Sequence, residues 1–441
     1  MNRFVEKRYA LPDIWFGVLF GALALVPFMR VRINYSFFEL SGASQFVVFV
    51  VGFVALSLAA KLNISSLTTV LRDRVTIFFG MWCAYAIASA LWAEEPTLVL
   101  KRVVLAIFPA ILVFLAAALV KQPEKVIRGF ILGLACITAI CVVYAAVGLL
   151  ADLLITYPGG RRRGTIYFFG LEFAQSFGQR LFWINGELVK LQRFSGFFPN
   201  PNGLGITSGV CILLLSAIRR DVPTLFRILF GMMIVGVILS GSRTALIILL
   251  TGCLYLFLSR KINYRFVVAV AVLGALAFPV MIVLLKGGVL QLSFLPNWVL
   301  EQEALIATIR GPYLVDASHA ALTHWLFGAG FGIGAEVAFG QKANEMAVHS
   351  VFLNAIIETG VLGLILLSAV WIMSIVVAGD NDHRRSQRDS VMGYLSAVLL
   401  SLFVAQSVDL SVTRFHYVHL MFFFILGLVA SFKRTELEMR V

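Results

Sequence analysis

Long apolar segments alternate with short polar connections along most of the 441-residue chain. Because an α-helix needs about 20 predominantly apolar residues to cross the hydrocarbon core of a membrane, such segments are candidate spans. The pattern predicts twelve of them, at about 13–29, 45–60, 75–92, 103–120, 128–150, 203–218, 225–240, 244–259, 266–285, 349–377, 391–408 and 415–432. No soluble domain or internal repeat is apparent. We therefore predict an all-α polytopic membrane protein with one membrane domain over residues 1–441.

Basic residues in the connections predict which side of the membrane each connection faces, since cytoplasmic loops carry an excess of Lys and Arg. If the N-terminus is cytoplasmic, seven inner segments carry three basic residues each. They are Arg3, Lys7, Arg8, Lys61, Arg72, Arg74, Lys121, Lys125, Arg128, Arg219, Arg220, Arg227, Arg260, Lys261, Arg265, Arg384, Arg385, Arg388, Lys433, Arg434 and Arg440. The short outer loops carry fewer basic residues. Both termini are therefore predicted to be cytoplasmic, and the first helix is predicted to be retained rather than cleaved as a signal peptide.

The composition supports this class of protein. Hydrophobic residues make up 60% of the chain and charged residues 13%, whereas soluble domains are near half apolar and a quarter charged. A net charge of +13 could indicate a nucleic-acid partner. We exclude that partner because the basic residues fall in short clusters between apolar segments. The five cysteines lie inside apolar segments without a Cys-x-x-Cys pair, so they indicate neither a disulfide nor a metal site.

Two connections are longer than a minimal helical bundle needs, and both are predicted to lie outside. They are residues 152–202 and 286–348. Loops of this length are usually functional or disordered. Trp183, Trp298, Trp325 and the many other apolar residues in them argue against disorder. We expect short helices at the external membrane interface, such as Asn297–Arg310 and Tyr313–Phe327.

The tenth apolar segment begins with His349 and carries Glu358 in its middle, in the sequence HSVFLNAIIETGVLGLIL. On a continuous helix with 100° per residue, Gly360 and Gly363 fall below His349, where they would let a neighbouring helix or a lipid chain approach closely. Glu358 falls on the opposite side, near Asn354, and we expect it to hydrogen-bond a different helix. His349 itself could be an interfacial capping residue or a general base.

A second stretch, LQRFSGFFPNPNGLG, leads from the first long loop into the sixth apolar segment. Asn200 and Asn202 suit turn conformations, and Pro201 and Gly203 break and restart the chain. The turn would present backbone N–H groups at a helix N-terminus, which can seat an anion next to Arg193. The alternative is a plain helix start with a positioning arginine.

Two further arginines lie on the predicted outer face. Arg243 is at the tip of a two-helix hairpin, LSGSRTALI, and needs an anionic partner, either a lipid headgroup or a substrate. Arg310 belongs to the second long loop, which also contains THWLFGAGFGIG. Its alternating glycines allow close approach of the backbone, and their spacing does not match a nucleotide-binding loop. Neither the few carboxylates of the first outer loop nor the spacing of His319 and His324 favours a metal site.

Four residues from separate parts of the chain are thus all predicted to face the outside: Arg193, Arg243, Arg310 and His349. Guanidinium groups bind phosphate oxygens bidentately, and several of them suit a diphosphate. A histidine suits proton abstraction from a hydroxyl. These groups suit the transfer of a sugar from an activated donor to a hydroxyl. Because nucleotide sugars are not expected outside the cell membrane, a lipid-linked pyrophosphate is the natural sugar donor.

Three of these stretches resemble the O-antigen ligase and polymerase superfamily of bacterial envelope glycosyltransferases. They are RFSGFFPNPNGLG, SGSRTAL, and His349-Ser350 followed by Gly360-Val361-Leu362-Gly363. The His-Ser pair ahead of Gly-x-x-Gly, together with twelve spans and a large outer loop, is most similar to the ligase branch. The resemblance covers the chain from about Arg193 to Gly363.

The resemblance implies a GT-C-type architecture and a metal-independent reaction without a cofactor, at the periplasmic face of a Gram-negative inner membrane. O-antigen polysaccharide would move from undecaprenyl pyrophosphate to lipid A-core oligosaccharide, with inversion at the anomeric carbon. His349 would be the general base on the acceptor hydroxyl. The implied pyrophosphate-binding set is Arg193 with Arg243 or Arg310, joined by Asn200 and Asn202.

Three alternatives stay open at this point. The polymerase of the same superfamily is the nearest, and both its donor and its acceptor are lipid-linked repeat units. Another relative transfers glycans to protein. A transporter or flippase belongs to a different class, and the lack of an internal repeat and of matching broken helices argues against it. Membrane lipids are expected partners, and the sequence indicates neither the sugars nor an oligomeric state.

Overall fold

The computed structural model describes residues 13–24, 31–33, 42–60, 62–154, 163–168, 171–184, 187–198, 200–286, 316–340, 348, 350–385, 391–407 and 417–438. These residues are mostly helical, and several of the helices are long and apolar enough to cross a membrane. The prediction of a mainly helical, multi-pass membrane protein is therefore confirmed.

The helices follow one another in the order of the predicted apolar segments. They are α1 Asp13–Leu23, α2 Gly42–Ala59, α3 Leu67–Leu71, α4 Arg74–Ala88, α5 Pro96–Ala118, α6 Pro123–Leu154, α7 Pro201–Ala217, α8 Pro223–Ser240, α9 Arg243–Leu258, α10 Tyr264–Lys286, α11 316–323, α12 Gly334–Phe339, α13 Val351–Arg385, α14 Val391–Ala405 and α15 Tyr417–Glu438. Short 3-10 helices lie at Ile64–Ser66 and Ser89–Leu91.

Each of the twelve predicted apolar segments overlaps one of these helices. Within the described ranges, six helices are long and apolar enough to cross a membrane, or seven if the bent pair α2–α3 forms one span. The six are α4 extended by the 3-10 helix Ser89–Leu91, α5, α6, α8, α13 and α15. The other predicted segments coincide with shorter apolar helices, so the count of twelve spans and the GT-C-type architecture stay predictions.

The first long loop contains β-strands, which the apolar pattern of the sequence did not predict. Strands β2 Arg163–Phe168, β3 Leu171–Ile184 and β4 Glu187–Phe194 lie in it, and β1 Val31–Ile33 lies in the first outer loop. All are antiparallel, and β3 pairs with each of the other three. The segment is rich in aromatic and β-branched residues, which favour strands. Short interfacial helices were therefore the wrong expectation for this loop, and the chain is not purely α-helical.

Three helices form the centre of the bundle. Nearly all described side chains of α7, α14 and α15 are buried, on every side of the helix, which is the pattern of a helix enclosed by others. Helices α2, α8 and α9 instead expose an apolar face, where Leu58, Ile238 and Leu250 are each at least 70% exposed. In a membrane such a face contacts lipid.

Glycines allow very close packing of α1 against α6. They form a Gly-x-x-x-Gly pair on each helix: Gly17, Gly21, Gly129 and Gly133. A Cβ atom built on Gly17 would lie 2.0 Å from the carbonyl oxygen of Val126, and one built on Gly133 would lie 2.1 Å from that of Val18. The two backbones are in contact, as in membrane helix pairs that associate through small residues.

Ion pairs join loops that the charge pattern assigns to the same side of the membrane. Their N···O distances are 2.5 Å for Lys433–Asp73, 3.2 Å for Arg128–Asp221 and 2.9 Å for Arg265–Asp380. Each pair connects two of the segments predicted to be cytoplasmic. These loops therefore meet each other as the alternation of spans requires, and the side of the membrane that they face stays a prediction.

Candidate functional site

Arg193 lies near the end of β4, where the first long loop returns to the helical bundle. Its Nε donates a hydrogen bond of 2.7 Å to the backbone carbonyl of Ser240, and its Nη2 donates one of 2.5 Å to Oδ1 of Asn202. The side chain is half-buried. Since these two acceptors belong to different helices, α8 and α7, together they fix the plane of the guanidinium group.

The chain enters α7 through a turn, as the sequence predicted, and the structure shows that this turn caps the helix. Asn200 is the N-cap, and its Oδ1 accepts a hydrogen bond of 2.9 Å from the N–H of Gly203. Pro201 occupies the first helical position, where its missing N–H costs nothing. Fewer backbone N–H groups at this helix start are therefore left for an anion than the sequence indicated, because the N–H of Gly203 already bonds Asn200.

Helices α8 and α9 form the predicted hairpin, with Gly241 and Ser242 at its tip. Gly241 ends α8 in the left-handed region, at φ 53°, which a glycine adopts without strain. Oγ of Ser242 caps α9 by accepting a hydrogen bond of 3.3 Å from the N–H of Ala245. Arg243 is the first residue of α9, and its side chain is exposed.

The N-terminal part of α7 packs directly on this hairpin tip. A Cβ atom built on Gly205 would lie 2.4 Å from Cβ of Ser242, so only glycine fits there. The structure therefore brings Arg193, Asn202 and the tip that carries Arg243 into one assembly. Their binding of a pyrophosphate stays a prediction.

His349 and Arg310 lie outside the described residues, so the structure neither joins them to this assembly nor separates them from it. The described residues on either side of position 349, Val348 and Ser350, are buried. The N–H of Val351 donates a hydrogen bond of 2.9 Å to the carbonyl of Gln406, just after α14. The start of α13 is thus fixed against the end of α14.

Helix α13 is broken in its first third. Gly360 has φ 66° and ψ −172°, which is not helical and is accessible almost only to glycine. The predicted stripe of Gly360 and Gly363 assumed a continuous helix, so it is wrong beyond Gly360. Its position relative to His349 lies outside the described residues and stays a prediction. Gly360 does allow a close approach, but by a loop: a Cβ atom on it would lie 2.1 Å from the carbonyl oxygen of Leu326.

Residues 325–334, here named the glycine loop, fill the break. Three backbone hydrogen bonds join the loop to α13, with N···O distances of 2.8 Å for Ala329–Ile357, 2.8 Å for Gly330–Glu358 and 2.7 Å for Val361–Trp325. In a continuous helix the N–H of Val361 would donate to the carbonyl of Ile357. Here both groups find their partners in the glycine loop, so the break leaves neither of them unsatisfied.

The other side of the glycine loop contacts the region between α4 and α5. The N–H of Phe331 donates a hydrogen bond of 2.9 Å to Oγ of Ser89, and the indole N–H of Trp92 donates one of 3.1 Å to the carbonyl of Phe327. The loop is therefore held between α13 and the α4–α5 connection. The sequence pointed to close approach here through the alternating glycines, but it did not show which helix the loop approaches.

Two polar side chains of α13 are buried at the break. Glu358 is 2% exposed, and its Oε1 accepts a hydrogen bond of 3.2 Å from the N–H of Gly334, the first residue of α12. The expected bond of Glu358 to a different helix is thus confirmed. Asn354 is fully buried, and within the described part of the chain its amide has no hydrogen-bond partner. A Cβ atom on Gly334 would lie 2.4 Å from Oδ1 of Asn354.

An apolar groove of about 560 Å³ lies beside the glycine loop. Its lining includes Tyr85, Trp92, His324, Trp325 and Phe327. Helix α11 precedes the glycine loop in the chain and overlaps the predicted interfacial helix Tyr313–Phe327. The other predicted interfacial helix, Asn297–Arg310, lies outside the described residues. His319 is exposed on α11.

No group of three or more His, Cys, Asp or Glu side chains is placed to hold a metal ion in the ranges that the structure describes. The metal-independent reaction stays a prediction. All five cysteines are free thiols.

A family model matches part of the chain. The family model described as O-antigen ligase matches residues 228–368, from α8 into α13. The matched region contains Arg243, Arg310, His349 and the glycine loop, while Arg193 precedes it. No curated protein matches the chain.

Proposed function

From the premise that this chain belongs to the O-antigen ligase/polymerase superfamily, we propose that it is an O-antigen ligase of a Gram-negative inner membrane. It transfers O-antigen polysaccharide from undecaprenyl pyrophosphate to lipid A-core oligosaccharide. In this proposal both termini are cytoplasmic and the reaction takes place at the periplasmic face. The reaction needs no metal and no cofactor.

The observation that carries the proposal is the fixed guanidinium of Arg193. Its hydrogen bonds to Ser240 and Asn202 place it beside the hairpin tip that begins α9 at Arg243. Two cations at one end of the bundle suit a diphosphate, and rigid cations stabilise developing negative charge without reorganisation during the reaction. In our proposal Arg310 adds to them from the second long loop.

The reaction is a single displacement. The hydroxyl oxygen of the acceptor sugar attacks the anomeric carbon of the donor, and His349 takes the hydroxyl proton. The bond between that carbon and the pyrophosphate oxygen breaks, and undecaprenyl pyrophosphate leaves with charge that the arginines stabilise. Because the nucleophile arrives opposite the leaving group, the anomeric configuration is inverted.

Complementation tests this assignment against the polymerase of the same superfamily. The gene is expressed in a strain that lacks its ligase and, separately, in a strain that lacks its O-antigen polymerase. A ligase restores lipopolysaccharide bearing the full ladder of O-antigen lengths in the first strain alone. Rescue of the polymerase-deficient strain alone would assign the chain to the other branch.

A third arm addresses the transporter or flippase alternative. Purified protein in detergent is supplied with lipid-linked O-antigen and lipid A-core, without a sealed membrane. A transferase forms the joined product under these conditions, whereas a transporter does not because there is no second compartment. Absence of product from protein that complements the ligase-deficient strain would contradict a direct transfer reaction.

A further inference from the structure

We propose that Glu358 is a positioning residue: its buried carboxylate holds the glycine loop in the break of α13 and thereby fixes the short helical segment that begins beside His349. The loop contacts α13 through its backbone, and the side chain of Glu358 adds a hydrogen bond from the N–H of Gly334 at the end of the loop. The catalytic consequence of this inference rests on the proposed function. The contact between Glu358 and the glycine loop does not depend on it.

The segment from Val351 to Thr359 depends on contacts at both of its ends. The break at Gly360 interrupts the hydrogen bonds that would otherwise continue it into the rest of α13. At its start, the N–H of Val351 donates to the carbonyl of Gln406. At its other end, the partners are residues of the glycine loop, including Gly334. Loss of the Glu358 carboxylate would weaken the contacts at this second end, where the backbone bonds of Ala329 and Gly330 would remain.

A merely space-filling role does not account for a carboxylate at this position. Burial of an ionisable group is unfavourable unless hydrogen bonds compensate it, and an apolar residue of similar size would fill the same volume without that cost. Glu358 instead offers an acceptor to a backbone N–H, which an apolar side chain could not satisfy. A glutamine would keep the acceptor oxygen and lose only the charge.

The proposed catalytic base lies next to this helical segment in the sequence, so a shift of the segment should affect the reaction. His349 precedes Val351 by two residues, so a shift of the segment moves the chain that carries the proposed base. A misplacement of about 1 Å can lower a catalytic rate by about 10²-fold. The arginine assembly is built on α7, α8 and α9, so donor binding should change little.

Thiol labelling tests the geometry without reference to activity. The two exposed cysteines, Cys136 and Cys253, are replaced by alanine, and Ala329→Cys places a thiol in the break, where Ala329 is 8% exposed. N-ethylmaleimide should label this thiol slowly in the parent and in Glu358→Gln. In Glu358→Ala, labelling should be about 10-fold faster or more, because the loop opens more often. A thiol at the exposed Leu322 is the control and should label rapidly in every background.

Kinetics tests the consequence. In Glu358→Ala, kcat should fall by about 10²-fold with an unchanged KM for the lipid-linked donor, and Glu358→Gln should restore most of the rate. Ser368→Ala, a buried polar position of α13 beyond the break, should keep the parental kcat. All variants are compared at equal amounts of monodisperse protein, so that loss of folded enzyme is not counted as a loss of rate.

The outcomes separate the two proposals. Slow labelling of Ala329→Cys in the Glu358→Ala background would overturn the positioning role, and so would a glutamine variant as impaired as the alanine variant. Full activity of His349→Ala would overturn the catalytic assignment of the proposed function. The labelling experiment would still decide in that case whether Glu358 holds the loop.

Discussion

The guanidinium of Arg193 donates a hydrogen bond of 2.7 Å to the carbonyl of Ser240, which lies 47 residues further along the chain. Ser240 is the last residue of α8, and carbonyls in the last turn of a helix have no partner within it. A cation at this position also complements the negative end of the helix dipole. The arginine is thereby anchored on a rigid element although it enters from a long loop.

We predict that Arg193→Ala lowers the rate of glycan transfer by about 10²–10³-fold, the usual cost of removing one fixed donor to a developing negative charge. Arg193→Lys should recover little of this rate, because an ammonium group cannot contact Ser240 and Asn202 through a planar fork. The measurement is the initial rate with purified protein, lipid-linked O-antigen and lipid A-core.

Arg220→Ala is the matched control for the arginine variants. Arg220 is exposed in the connection between α7 and α8, at the other end of α7 from Asn202, and its removal should leave the rate unchanged. An equal loss of rate in Arg220→Ala and Arg193→Ala would show that general charge, rather than the fixed guanidinium, supports the reaction.

We predict that His349→Ala abolishes mature lipopolysaccharide in the complemented strain while the protein stays in the membrane at its normal amount. The reason is the loss of the group that takes the proton from the acceptor hydroxyl. His319→Ala, at an exposed position of α11, should give the normal ladder on a gel. An unaltered ladder from His349→Ala would remove this histidine from catalysis.

The apolar pattern predicted the helices well because helix formation in a membrane depends on a local property, the length of a hydrophobic run. The capped start of α7 was also predictable, since Asn200, Pro201 and Gly203 act within one turn. The strands of the first long loop were not. Their pairing joins residues far apart in sequence, such as Val31 and Phe173, and a search for helix-length apolar runs does not detect it.

The candidate site was predictable in its residue types but not in its contacts. The sequence singled out Arg193 and Asn202, yet their hydrogen bond depends on how the first long loop docks on α7. The helical wheel of α13 was wrong beyond Gly360, because it assumed a continuous helix. The glycine loop stabilises the left-handed conformation of that glycine. Because this loop precedes α13 in the chain, a helical wheel drawn for α13 alone does not include its contacts.

We predict that transfer by the purified protein continues in the presence of EDTA. The proposed chemistry uses guanidinium groups to stabilise the leaving pyrophosphate, so a divalent cation is not required. The measurement is the rate before and after chelation followed by removal of EDTA by gel filtration. Loss of activity that magnesium or manganese restores, with zinc as a further comparison, would contradict this prediction.

We predict that Gly360→Ala strongly reduces the amount of folded protein. A Cβ atom there would lie 2.1 Å from the carbonyl oxygen of Leu326, and the backbone conformation alone costs a residue other than glycine about 1–3 kcal/mol.

Gly231→Ala is the matched control, because a Cβ atom on Gly231 of α8 meets nothing within 4 Å and alanine favours the helix by up to about 1 kcal/mol. Thermal unfolding followed by size-exclusion chromatography in detergent should show a lower midpoint for Gly360→Ala and an equal or higher one for Gly231→Ala. Equal midpoints for parent and Gly360→Ala would mean that the glycine loop does not occupy the break in the folded protein.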